Sequence, residues 1–149
     1  MSSHKNYNLR QHGFSLIEIM VVVVILGILS AIIVPKIMSR PDEARRVKAK
    51  QDILAIQNAL DLYKLDNGYY PTTDQGLKAL VSKPSSPPVP RHWKAYLKNL
   101  PMDPWDSPYL YLKPGQHGEV DIFTYGPTGQ PGGEGTNAEI GNWDDVDRN

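Results

Sequence analysis

Glu18 is the residue with most to explain. From Phe14 to Val34 the chain reads FSLIEIMVVVVILGILSAIIV, and Glu18 carries the only charge in those 21 residues. About 20 apolar residues in a row is what a helix needs to cross the hydrocarbon of a bilayer. A carboxylate inside such a run costs a few kcal/mol and usually has a named partner. Standing near the start of the run, Glu18 either sits at headgroup depth or pairs with a cation that another subunit brings close.

Other chemistry is thinly supplied. The chain has no cysteine, which removes disulfides and thiolate metal sites. His92 and His117 fall in loop sequence with no second ligand beside them, and read as surface residues. There is no nucleophile–base pattern, no phosphate-cradling loop and no compact basic face for nucleic acid, so the sequence reads neither as an enzyme nor as a nucleic-acid binder. Trp105, Trp143, Tyr109, Tyr111 and Phe123 could form a ligand-stacking platform. At strand spacing they read instead as core and loop packing, because aromatic bodies bury a large area in a thin domain.

The elements that must position these residues begin with the chain's uneven layout. Its 149 residues leave room for one compact domain and a long appendage. The net charge is zero, but the charges come in blocks. Residues 1–13 carry Lys5 and Arg10 with no acid, residues 36–50 carry six basic against two acidic side chains, and residues 119–149 hold seven acids against Arg148. Copies could stack through these opposite fields, or the blocks could be solvated surface. A basic leader before an apolar run also describes a cleaved secretory signal. However, the run is long for a signal core, and no small-residue cleavage site follows it, since the chain continues VPKIMSRPDEARR. The apolar segment is therefore expected to remain in the mature protein. Charge counting leaves its orientation open, because the far flank is more basic than the leader.

Beyond the run, Ala49, Ile53, Ile56, Leu60 and Tyr63 recur at three- or four-residue intervals, the mark of a helix with one buried face. The pattern predicts one helix from about Phe14 to Asn67, apolar in its first half and amphipathic in its second, roughly 80 Å long. Asn67-Gly68 supplies a left-handed cap at its end. Gly27 and Pro35 punctuate the apolar half, and Pro35 is expected to bend it by removing a backbone hydrogen bond. Pro41, followed by Asp42 and Glu43, could restart a helix.

After the helix, PTTDQGLKALV predicts a short helical piece over Asp74–Val81, capped by Thr73 or Asp74, and SKPSSPPVPRHW a proline-rich loop. Strands are expected at YLYLK (109–113) and VDIFT (120–124), joined by PGQHG as a hairpin. Past Tyr125 the chain becomes a glycine-rich loop that regains pairing near Glu139–Trp143. The sum is an α+β fold, in which a long N-terminal helix packs on a small antiparallel sheet followed by a long C-terminal loop. A small cysteine-free domain of this kind, if exported, needs another fastener, and a bound metal is one option.

Gly13-Phe14-Ser15-Leu16-Ile17-Glu18, set between a short basic leader and a membrane-length apolar run, resembles the class III signal of type IV pilins and pseudopilins. The resemblance implies cleavage between Gly13 and Phe14 by a prepilin peptidase and N-methylation of Phe14. It divides the chain into a cleaved leader (1–13), a transmembrane and polymerisation helix (14–35) and a periplasmic globular domain (36–149). It implies a bacterial inner-membrane protein with its N-terminus in the cytoplasm. Glu18 would then attract the Phe14 amine of a neighbouring subunit, penalising wrong stagger. Gly27 to Pro35 would bend or melt as the subunit leaves the bilayer, the alternative being a plain kinked anchor.

Longer stretches narrow the resemblance. YKLDNGYYPTTDQGLKALV (63–81), LPMDPWDSPYLYL (100–112), PGQHGEVDIFTYGP (114–127) and EIGNWDD (139–145) are similar to the major pseudopilins of type II secretion. These polymerise through their N-terminal helices into a periplasmic filament that drives folded proteins across the outer membrane. Their partners are copies of the same chain, minor pseudopilins, the inner-membrane assembly platform and lipid. The readings left beside this one are a type IV pilus subunit for adhesion or motility, and a membrane-tethered binding module that never polymerises. Lack of a cysteine pair sets the chain apart from a typical type IV pilin. The resemblance also implies calcium, held in the loop after the second strand. The matching positions are the Tyr125 carbonyl, Thr128 and Glu139, with the Gln130 carbonyl as a further ligand. The family usually has Asp where Thr128 and Glu139 stand, and Glu134, Asp144 or Asp145 would have to compensate.

Overall fold

The structure is a computed structural model that describes residues 13–144, with the side chains of 32–40 outside the description. The leader up to His12, the side chain of Pro35, and Asp145 therefore lie outside the described residues. The chain divides into two compact units, Met1–Arg40 and Pro41–Asn149. A single helix, α1, spans Leu16–Asn67 and contributes to both.

In the first unit α1 starts where its sequence allows. Ser15 stands just before the first turn, its hydroxyl accepting from the Glu18 amide at 3.3 Å, and Glu18 Oε2 accepts from the Ser15 amide at 3.3 Å. This reciprocal pair is a capping box, which satisfies two of the amides a helix start leaves without partners. Further along, Ser30 returns its hydroxyl proton to the Leu26 carbonyl at 2.7 Å. The helix runs unbroken past Gly27, Pro35 and Pro41, so no new helix starts at Pro41. Among the described residues no helix is long and apolar enough to cross a membrane. The expected span reaches Val34, and its last side chains lie outside the description.

In the second unit the amphipathic half of α1 buries the face its periodicity marks. Ala49, Ile53, Ile56, Ala59, Leu60 and Tyr63 are all buried, together with Tyr70, Leu77, Leu80, Tyr109, Tyr111, Val120, Ile122 and Ile140 from the segments that follow. Each large aliphatic side chain so buried contributes about 1.5–3 kcal/mol. Gly68, at φ 85°, closes the helix with its amide on the Lys64 carbonyl at 2.7 Å, the left-handed ending that Asn67-Gly68 predicts.

The sheet is antiparallel and three-stranded in the order β1 (Leu110–Leu112), β2 (Asp121–Thr124), β3 (Ile140–Gly141). Tyr111 pairs with Ile122, and Phe123 with Gly141. Strand β1 is shorter than the predicted 109–113 because Lys113 leaves the ladder. Its amide donates to Thr73 Oγ1 at 2.8 Å, and its carbonyl accepts from the same hydroxyl at 2.9 Å. Thr73 is thereby taken from the capping role expected of it. The piece over Asp74–Val81 contracts to a 3-10 turn at Leu77–Leu80, with Gly76 at its start and no side-chain cap. Thr72 and Gln75 hold the preceding turn reciprocally, at 3.1 and 3.2 Å. Gln75 also donates to the Ser86 and Pro88 carbonyls, which fastens the proline-rich loop.

Candidate functional site

Two regions carry the residues singled out by the sequence. At the amino-terminal end, Gly13, Phe14 and Glu18 stand together at the start of α1, with Phe14 81% exposed. The capping box holds the Glu18 carboxylate at the positive end of the helix, where backbone amides stabilise an anion. Cleavage after Gly13 would place a new amine at Phe14, one residue from that cap. From Phe14 to Leu29 the large apolar side chains are between 48% and 81% exposed, on all faces of the helix. Gly27 has open space around it, and Pro35 lies outside the described side chains.

The second region is the loop from Gly126 to Glu139. Two 3-10 turns, Gly126–Thr128 and Gly135–Asn137, face each other across it. Gly126 is at φ 70°, and a Cβ there would lie 3.3 Å from the Ala138 carbonyl. Thr128 gathers three of the four expected metal oxygens: its hydroxyl lies 3.5 Å from the Tyr125 carbonyl and 3.2 Å from that of Gln130. Its Oγ1 also accepts from the Gln130 amide at 3.3 Å. Glu139 makes no hydrogen bond or ion pair to the described residues. Of the acids offered as compensation, Asp144 accepts from the Gly141 amide at 3.1 Å, and Glu134 is exposed. Among the described residues no group of three or more His, Cys, Asp or Glu gathers. Two carbonyls and a hydroxyl are oxygen donors of the type calcium takes, but they are fewer than the six to eight it usually gathers and carry no charge of their own.

Behind the loop stands a buried relay that the sequence reading missed. Asp103, 3% exposed, accepts from the amides of Trp105 at 2.9 Å and Ser107 at 2.8 Å. Its other oxygen accepts from the Thr124 hydroxyl, which in turn accepts from the Gly126 amide at 3.1 Å. The first residue of the loop is thus tied to the Pro-Trp turn through two side chains. A second missed cluster fixes β3: Asn142 bonds Gln57 of α1 at 2.9 Å and both the amide and the carbonyl of Ile122. Trp143 stacks on His117 with ring centroids 3.9 Å apart, and His117 Nδ1 lies 3.0 Å from Asp121 Oδ2. His117 is thus an exposed residue, as its loop sequence predicts, with one ring face on Trp143 and its Nδ1 beside Asp121. A cleft of about 350 Å³ opens beside it, lined in part by Gln57, Tyr70, Glu119 and Asn142.

Tyrosines dominate the electrostatics. Burial, with the Asp61 carboxylate accepting the hydroxyl proton at 2.8 Å, pushes Tyr70 up to about 12. Burial also takes Tyr63 to about 12 and raises Tyr109 and Tyr111 further. Tyr109 donates to Asp52 at 2.9 Å. Of the five aromatics weighed as a platform, Tyr109, Tyr111 and Phe123 are buried, and Trp105 and Trp143 are partly so. Tyr109, Tyr111 and Trp105 pack the core and Phe123 packs on Trp143, which also lines the cleft beside His117.

Comparison with known proteins covers both regions. Residues 36–143 match the family "Type II secretion system (T2SS), protein G", and residues 8–34 match the "Prokaryotic N-terminal methylation motif". The type II secretion system core protein G of Pseudomonas aeruginosa is 58% identical over 137 residues, 91% of this chain and 96% of that protein. That of Vibrio cholerae is 57% identical over 136 residues, covering 90% and 92%. The crystal structure of the major pseudopilin from the type 2 secretion system of enterohaemorrhagic Escherichia coli superposes with a TM-score of 0.64 at 48% identity, over 71% of this chain and 92% of that one. A capped apolar helix continuing into an amphipathic half that packs on a three-stranded sheet is the pilin-like plan, and with these relatives it shows that the chain belongs to the type II secretion system protein G family, the major pseudopilins.

Proposed function

We propose that this chain is the major structural subunit of a type II secretion pseudopilus, and not an enzyme. The observation that carries the reading is the bare apolar surface of α1 from Phe14 to Leu29. Burying each such side chain is worth about 1.5–3 kcal/mol, so the segment must be covered, by lipid before assembly and by copies of itself afterwards. Prepilin peptidase cuts between Gly13 and Phe14, Phe14 is N-methylated, and the globular part lies in the periplasm. Glu18, held at the helix start, receives the Phe14 amine of a neighbouring subunit. Minor pseudopilins and the inner-membrane assembly platform complete the partners. Calcium is the proposed cofactor, taken by the Tyr125 and Gln130 carbonyls, Thr128 and Glu139. Bound there, it would supply a divalent charge to the oxygens of the loop.

Deleting the gene tests the reading. Loss of secreted proteins from the medium with surface motility intact is the expected result. Loss of twitching with secretion intact would favour a type IV pilus subunit, and no effect on either would leave a tether that never polymerises.

A further inference from the structure

The glycine-rich loop has little of its own to hold it. Five glycines at positive φ stand between residues 126 and 135, and glycine loses more conformational freedom on ordering than any other residue. Every residue from Pro127 to Asn137 is exposed, so the loop buries no apolar anchor. What meets it instead is Arg46 of α1. One guanidinium nitrogen of Arg46 donates to the Ala138 carbonyl at 2.9 Å and to the Thr136 carbonyl at 3.3 Å, across about ninety residues of sequence. Ala138 is also the carbonyl against which Gly126 packs, so Arg46 reaches the point where the two ends of the loop meet. Hydrogen bonds with one charged partner are roughly twice as strong as neutral ones.

We propose that Arg46 is the positioning residue that fastens this loop to α1, so that the loop stays docked without a bound cation. The guanidinium does for the Thr136 and Ala138 carbonyls what a metal would do for oxygens nearby. Its positive charge, held on the carbonyl of the residue before Glu139, also opposes a cation in the same loop. Replacing Arg46 should therefore loosen the loop and make it more responsive to calcium. Only this last consequence rests on the calcium reading above.

The test is cleavage after Glu134 by a glutamate-specific protease, followed by mass spectrometry on the full chain in detergent, with EDTA or with excess calcium. Wild type, Arg46→Gln and Arg46→Lys are compared, with circular dichroism as a check that each is folded. In EDTA, wild type should be cut slowly, Arg46→Gln at least about tenfold faster, and Arg46→Lys nearer wild type because it keeps a charged donor. Calcium should slow Arg46→Gln more than it slows wild type. Equal rates for wild type and Arg46→Gln in EDTA would overturn the proposal, and so would a wild-type loop that resists cleavage only when calcium is present. Faster cleavage of Arg46→Gln with no calcium response in any of the three would support the clamp and remove the calcium reading.

Discussion

Ser15 and Glu18 cap each other at the first turn of α1: each accepts the other's backbone amide at 3.3 Å. Glu18 therefore has work within its own subunit before any neighbour is present, and the two roles can be separated. Losing a capping side chain costs about 1 kcal/mol, too little to stop a cooperative polymer, whereas losing the only charge in the apolar run removes the partner of an incoming amine. Ser15→Ala should leave filament yield on overexpression within about twofold of wild type, and Glu18→Ala should abolish filaments. Electron microscopy of sheared filaments reads both. If Ser15→Ala is as damaging as Glu18→Ala, capping and not pairing is what assembly needs from Glu18.

Asp103 is a buried acid whose loss should destabilise the second unit. It is 3% exposed and accepts from Trp105, Ser107 and Thr124. Replacement by Ala leaves three donors without an acceptor, at about 1–3 kcal/mol for each that stays buried. Asp103→Ala should lower the thermal midpoint by at least about 8 °C, read by circular dichroism in detergent. Thr124→Ala, which removes one link only, should lower it by less. Equal midpoints for Asp103→Ala and wild type would mean that the relay contributes nothing to stability.

Gly141 owes its identity to Trp143. A Cβ at Gly141 would stand 2.4 Å from the Trp143 ring, and Trp143 is the platform on which His117 stacks. Gly141→Ala must push the indole away or break the pairing of Phe123 with Gly141. Its tryptophan fluorescence should shift to the red, and its stability should fall by about 1–3 kcal/mol. An unchanged spectrum and stability would show that β3 has room the structure does not give it.

Much of this was legible in advance, and the reasons for the rest are physical. Period 3.6 marked Ala49, Ile53, Ile56, Leu60 and Tyr63, all of which are buried, because burial of a helix face writes itself at fixed intervals. The predicted strands agree with β1 and β2 to within a residue at each end, and the return to pairing near Glu139–Trp143 is β3. Thr73 defeated the capping rule because Lys113, forty residues away, offered its hydroxyl a donor and an acceptor at once. Arg46 on Thr136 and Asp103 on Thr124 are side-chain bonds across long separations, and no periodicity records them. The Ser15–Glu18 box is legible as S-x-x-E, but the same glutamate is also a charge in an apolar run, and the two roles share one residue.

The tyrosines set an alkaline limit. Tyr63 and Tyr70 titrate at about 12 in the folded chain, chiefly because burial disfavours the phenolate, against about 10 when unfolded. A raised folded value means that the neutral form is preferred in the fold. Stability from this source is therefore complete below pH 10 and is lost as pH climbs from about 10 to about 12, because only the unfolded chain can ionise freely in that window. Tyr109 and Tyr111 lie higher still and extend the loss in the same direction. Unfolding followed by far-ultraviolet circular dichroism should begin between pH 10 and 12, with the rise in phenolate absorbance at the buried tyrosines coinciding with it. Tyr70→Phe removes one ionisable group together with its bond to Asp61. It should begin from a lower midpoint at neutral pH and lose less of it on the way to pH 12. A variant that loses as much as wild type over that interval would show that Tyr70 plays no part in the alkaline transition.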